Sequence, residues 1–133
     1  MERLLLKQHH WDEMRRQVAE EAPLESCGLL AGIQDEVRQV VPLPNALKSA
    51  TRFRLDPNDQ WAAFQQIEGA GLEMLAIYHS HPKGPPHPSQ TDIDEAAYPV
   101  VYVIWSQAEG GWQARGFWIE NGAYRAVPLE TTL

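Results

Sequence analysis

The chain has 133 residues, and against a soft prior of about 150 per domain this predicts one domain spanning 1–133. With 44% hydrophobic and 22% charged residues it is too apolar for a disordered chain, while 18 acidic against 11 basic side chains, a net charge of -7, disfavour a broad phosphate-binding surface and set nucleic acid aside as a partner. A single cysteine, Cys27, excludes an internal disulfide and suits a reducing, cytoplasmic setting.

From the amino terminus, the three leucines Leu4 to Leu6 lie between charges and fall short of a secretory signal. No window approaches the roughly 20 apolar residues that span a bilayer, so no membrane partner is expected. Residues 3–7 read as a short strand. Trp11, Met14, Val18 and Ala22 then recur at helical spacing over 8–21, and Pro23 ends that helix. Two apolar runs, 26–33 and 36–42, flank Gln34-Asp35 as a hairpin. Residues 51–55 alternate enough to predict another strand. Asp56-Pro57-Asn58-Asp59 is a strong helix start, and Gly69 with Gly71 ends that helix near Glu68.

The apolar strand 73–78 runs directly into His79-Ser80-His81. Residues 82–89 then pack four prolines and a glycine into a stiff loop, after which 90–97 forms a short helix. Strands at 100–106, 112–119 and 123–128 close the chain, separated by Gly110-Gly111 and by the hairpin signal Asn121-Gly122. The expected architecture is α/β (α+β): a layered domain with a mixed sheet of about seven or eight strands, two long helices and one short one.

Three of the five histidines fall within nine residues, at 79, 81 and 87. On an extended strand, residues two apart project to one face, so His79 and His81 aim both imidazoles at one point and can share a metal. Asp92, arriving from the short helix, completes a set of two histidines and one acid. Three protein ligands leave the fourth tetrahedral position open for water, which marks a catalytic rather than a structural zinc. Hydrolysis further needs a proton acceptor that is not itself a ligand. Glu25 is the candidate, at the start of an apolar strand, although spacing alone leaves Glu20, Glu21 and Asp94 open. Ser89 and Asp92 also read, by local rules, as a helix N-cap with its acidic third residue. Cys27, His87, the tandem His9-His10, Trp105, Trp112 and Trp118 read as packing or surface residues rather than ligands.

The combination of Glu25 in PLESCGLLAG with HSHPKGPPHPSQTD resembles the JAMM signature of MPN-type metalloproteases, in the form found in compact prokaryotic members. The resemblance implies an MPN-type fold and one Zn2+ per chain held by His79, His81 and Asp92. It also implies Glu25 as general acid/base and Ser89 as oxyanion support. The implied activity is hydrolysis of a peptide or isopeptide bond after the Gly-Gly tail of a ubiquitin-like or sulfur-carrier protein. Its variant is trimming of a C-terminal amino acid such as cysteine from such a carrier. A zinc-free MPN-type scaffold is the non-enzymatic alternative, though such members lose motif residues that this chain keeps. A zinc deaminase would need a pair of cysteine ligands, which one cysteine cannot supply.

Overall fold

A computed structural model describes residues 1–133. The order of elements is β1 (Leu4–Lys7), α1 (Gln8–Glu21), β2 (Cys27–Ile33), β3 (Glu36–Leu43), α2 (Pro57–Gly69), β4 (Glu73–His81), α3 (Gln90–Glu95), β5 (Val101–Ala108), β6 (Gly111–Glu120), β7 (Ala123–Val127) and β8 (Leu129–Thr132). All eight strands join one mixed sheet in the order β7-β6-β5-β4-β2-β3-β1-β8. β4 sits near its middle, antiparallel to β2 and parallel to β5.

Period-two alternation on β4 and β5 divides the core into two layers. Ala76, Tyr78, Val101, Val103 and Trp105 pack with Met14 and Val18 of α1. Ile77 and Tyr102, on the opposite face, pack with Ala63 and Ile67 of α2. His79 and His81 follow the parity of Ile77, so both belong to the α2 side of the sheet. The α2 N-terminus forms as its sequence predicts: Asp56 accepts from the N–H groups of Asn58 and Asp59, with Pro57 in the first turn.

The sheet curls strongly. β7 and β8 are separated only by Pro128, yet they lie at opposite ends of the strand order. The Pro128 carbonyl accepts from Leu4 N–H at 3.0 Å, which starts the parallel pairing of β8 with β1. Leu129 packs over Gly116, where an added Cβ would stand 2.7 Å from both the leucine side chain and the Val127 carbonyl. Only a residue without a side chain admits that approach.

Three expectations change. Residues 51–55 form no strand, because local side chains meet their backbone needs instead of a ladder. Asn45 Oδ1 accepts from Leu47 and Arg54 N–H, Asn45 Nδ2 donates to the Arg52 carbonyl, and Ser49 Oγ accepts from Thr51 and Arg52 N–H. β8 takes the place of that strand in the sheet. His10 is 1% exposed rather than a surface residue, since its Nδ1 accepts the Lys7 N–H and so caps α1. His9 stays exposed beside it.

Candidate active site

β4 remains extended through His81, so the strand itself delivers both imidazoles. Their Nε2 atoms lie 3.1 Å apart. Asp92 reaches the same point from the first turn of α3, with Oδ1 at 3.1 Å from His79 Nε2 and Oδ2 at 3.0 Å from His81 Nε2. These three residues can hold a metal ion, one donor atom from each lying within 4.8 Å of the others.

The donor set fits a small divalent cation. Nitrogen and oxygen ligands at about 2.0–2.1 Å in a tetrahedron stand roughly 3.3 Å from one another, close to these separations. The Nδ1 of His81 lies 2.8 Å from the Pro85 carbonyl, an arrangement that orients the ring and leaves Nε2 to face the cluster. Phe53 stacks on the His79 ring at 4.5 Å between centroids and 23° between planes.

The electrostatics agree with that reading. Burial opposes ionisation of Asp92, but hydrogen bonds from both histidines hold its carboxyl well below the usual carboxylate range. Burial lowers the His79 pKa despite its bond to Asp92. At His81 burial also disfavours the cation, yet Asp92 and the Pro85 carbonyl outweigh it and the pKa rises.

Glu25 lies just before β2 rather than within it. Cys27 pairs with His79 across the antiparallel β2–β4 ladder, and continuing that register sets Glu25 opposite His81. Glu25 is 4% exposed as a residue, its Oε1 is buried with no hydrogen-bond partner, and it borders the same cavity as His81 and Ser89. Desolvation pushes its pKa up to about 7, with Asp92 adding to the rise and His81 opposing it. A carboxyl in that range can both take and return a proton near neutrality.

The backbone around Glu25 is fixed at three points. Its N–H donates to the Ser49 carbonyl at 2.8 Å, its carbonyl accepts from Asn45 Nδ2 at 3.1 Å, and the next N–H, of Ser26, donates to Ser80 Oγ at 2.8 Å. Ser80 N–H returns a bond to the Ser26 carbonyl at 3.0 Å. Asn45, Ser80 and Phe53 therefore support the site, although sequence reasoning gave them no part. Only the position of Ser80 between the two histidines hinted at such a role.

Ser89 and Asp92 form a reciprocal capping box: Ser89 Oγ accepts from Asp92 N–H at 3.0 Å, and Asp92 Oδ2 accepts from Ser89 N–H at 2.9 Å. The Ser89 hydroxyl proton is not used by this cap and remains available as a donor. Glu20, Glu21 and Asp94 are exposed and border none of this cavity. His87 stacks parallel to Tyr124 at 6.4 Å, outside the His-His-Asp group. Cys27 is buried, its thiol donates weakly to the Leu43 and Pro44 carbonyls, and burial raises its pKa to about 12, so it is a packing residue. Trp105 is fully buried, and Trp112 and Trp118 pack partly buried against the same core.

A curled mixed sheet with helices on both faces, and a His-His-Asp donor set at the end of its central strand, define an α+β domain of the MPN type with a candidate metal site. Residues 7–119 match the model of the prokaryotic homologs of the JAB domain, and the chain belongs to that family. The chain is 48% identical over 95 residues to a probable TtuB-protein conjugate cleaving protease of Thermus thermophilus, a match covering 71% of this chain and 64% of that protein. It is 38% identical over 96 residues to a desampylase of Haloferax volcanii, covering 69% of each chain. It is 34% identical over 111 residues to a CysO-cysteine peptidase of Mycobacterium tuberculosis, covering 80% of this chain and 76% of that one.

Among solved structures, one from Desulfitobacterium hafniense superposes with a TM-score of 0.89 at 30% identity, covering 97% of this chain and 92% of that one. A JAB1/MPN domain protein from Archaeoglobus fulgidus gives a TM-score of 0.64 at 17% identity, covering 99% and 100%, which shows the shared fold. No helix of the chain is long and apolar enough to cross a membrane.

Proposed function

We propose that this protein is a single JAMM-type domain that acts as a zinc-dependent peptidase or isopeptidase. Its substrate would be a ubiquitin-like or sulfur-carrier protein, cut after a C-terminal Gly-Gly tail. The observation that carries the reading is the meeting of two unlike features: a convergent His79–His81–Asp92 cluster, and a buried carboxyl at Glu25 that no protein group satisfies and that shares a cavity with His81 of that cluster. The relatives named as conjugate-cleaving protease, desampylase and CysO-cysteine peptidase support the substrate class.

His79, His81 and Asp92 would hold the Zn2+. When bound there, zinc supplies a Lewis acid for the scissile carbonyl and brings the acidity of water from about 16 toward neutrality. Glu25 takes the proton from the attacking water and hands it to the departing amine, so one carboxyl serves as base and then as acid. Ser89 donates a hydrogen bond from its free hydroxyl to the carbonyl oxygen as negative charge develops there; a well-placed donor of this kind is worth about 3 to 4 kcal/mol. An extended carrier tail lies along a strand edge, where backbone bonds give affinity and side-chain pockets give selectivity. A reducing cytoplasm suits a chain whose one thiol is buried and unpaired.

The test is zinc-reconstituted protein incubated with carrier proteins ending in Gly-Gly, joined either to a lysine side chain or to a single amino acid, and read by mass spectrometry. The expected result is cleavage after the second glycine, lost on chelation and restored by zinc. Stoichiometric zinc without cleavage of any such substrate would overturn the reading in favour of a scaffold.

A further inference from the structure

The cavity of about 170 Å3 bordered by Glu25, His81 and Ser89 has another wall that the hydrolytic steps leave unused. Ala50, Thr51, Lys83 and Gly84 form much of it. Lys83 is the only Lys or Arg between Arg54 and Arg115, a stretch carrying eight Asp and Glu residues. Its ammonium takes part in none of the ion pairs of the fold, which other cations make.

The position of Lys83 is set by the turn that follows β4. Gly84 N–H donates to the His81 carbonyl at 3.2 Å, and an added Cβ on Gly84 would stand 2.9 Å from the His81 Cβ. The turn is therefore pressed against a cluster histidine, and Lys83 within it, exposed to solvent, borders the cavity that Glu25 and Ser89 also line.

The amine that leaves takes its proton from Glu25, so the leaving group occupies the cavity that Glu25 borders. The neighbouring apolar cavity of about 210 Å3, bordered by His79 and Asp92 but not by Glu25, remains for the carrier tail. A cavity of about 150 Å3 holds one benzene, so the smaller space has room for a single residue of modest size. A lysine-linked protein would present neutral backbone amides to Lys83. A single C-terminal amino acid would present a carboxylate.

We propose, resting on the hydrolytic reading above, that Lys83 is a specificity-determining residue. It binds the free α-carboxylate of one amino acid joined to the carrier tail, so that the enzyme trims this residue in preference to releasing a lysine-linked protein. The bond between the tail's last carbonyl carbon and the amino acid's nitrogen breaks. Water supplies the oxygen of the new carboxylate and the proton that Glu25 passes to the nitrogen, and no other reactant is needed.

The probe is acetyl-Gly-Gly-Ser against its C-terminal amide, titrated into the full chain without added metal, so that the carboxylate cannot bind zinc. The acid binds about twofold to fivefold more tightly at low salt, the range of a solvent-exposed ion pair. The preference falls toward one in Lys83→Gln and in high salt, and persists in Lys83→Arg. Equal binding of acid and amide, or a preference that survives Lys83→Gln, overturns the assignment. In a parallel assay on zinc-loaded protein, equal turnover of amino-acid-linked and lysine-linked carriers overturns this inference alone. Absence of turnover on both overturns the hydrolytic reading beneath it.

Discussion

The two halves of the candidate centre are held in place by different physics. His79 and His81 belong to a nine-residue strand paired on both sides and are 1% and 6% exposed, so a ladder and two packed layers set their positions. Asp92 belongs to a six-residue helix with no buried residue and Ser89 caps it, the two set by mutual hydrogen bonds and a proline-rich approach. On the strand side, support and chemistry reside in different residues: Ser80 and Asn45 hold what Glu25 uses. On the helix side the same atoms do both, since the Asp92 oxygen that caps α3 is also the one that faces His81. A truncation on the helix side therefore mixes stability with activity, and one on the strand side need not.

The largest expected effects come from the cluster. His79→Ala and Asp92→Ala should each lose stoichiometric zinc and turnover together, measured by metal analysis and peptide release. Glu25→Gln should keep its zinc and lose about 10²- to 10⁴-fold in turnover, the usual range for removing a general acid/base. Parallel loss of metal in Glu25→Gln would break the division between ligand and base.

A smaller effect sharpens the helix side. Glycine is nearly as good an N-cap as serine, within a few tenths of a kcal/mol, so Ser89→Gly should leave thermal stability almost unchanged. If Ser89 supports the oxyanion, turnover should nonetheless fall about 10²-fold. Unchanged kcat with lowered Tm would reduce Ser89 to a cap. On the strand side, Ser80→Ala strands a buried Ser26 N–H and should cost about 1–3 kcal/mol in urea denaturation, with zinc retained.

The smallest expected effect concerns Glu25 and pH. Its folded-state pKa is raised from 4.5 to about 7, so folding favours the protonated carboxyl. The penalty for ionising it is absent below the unfolded value, grows through the interval and is complete above about 7. Metal-free Glu25→Gln should therefore match the wild type near pH 4 and exceed it by about 1–2 kcal/mol at pH 8, a figure reduced for solvent screening. Denaturation midpoints at the two pH values check the sign.

Much of this was legible in sequence because it is local. Strand parity aimed His79 and His81 together, the Asp56-Pro57 start fixed α2, and Ser89 with Asp92 announced a cap by spacing alone. What escaped was non-local. β8 is a strand only because β1 lies beside it, and its LETT sequence carries no alternation of its own. Residues 51–55 look extended, but the side chain of Asn45, several residues away, claims their backbone. His10 reads as a surface residue until its ring is seen folded back onto Lys7. Ser80 points at a contact 54 residues distant, which no window of sequence contains.

That last separation has a consequence for how the protein fails. His81 and Asp92 are 11 residues apart along the chain, whereas the segment bearing Glu25 meets β4 only across the sheet. Fraying confined to the residues ahead of β2 would carry Glu25 away while the Cys27–His79 pair still anchors the β2–β4 ladder and keeps the donor set together. Heat or denaturant should then silence the enzyme at a milder dose than the one that frees the metal, leaving an intermediate that is loaded but unarmed.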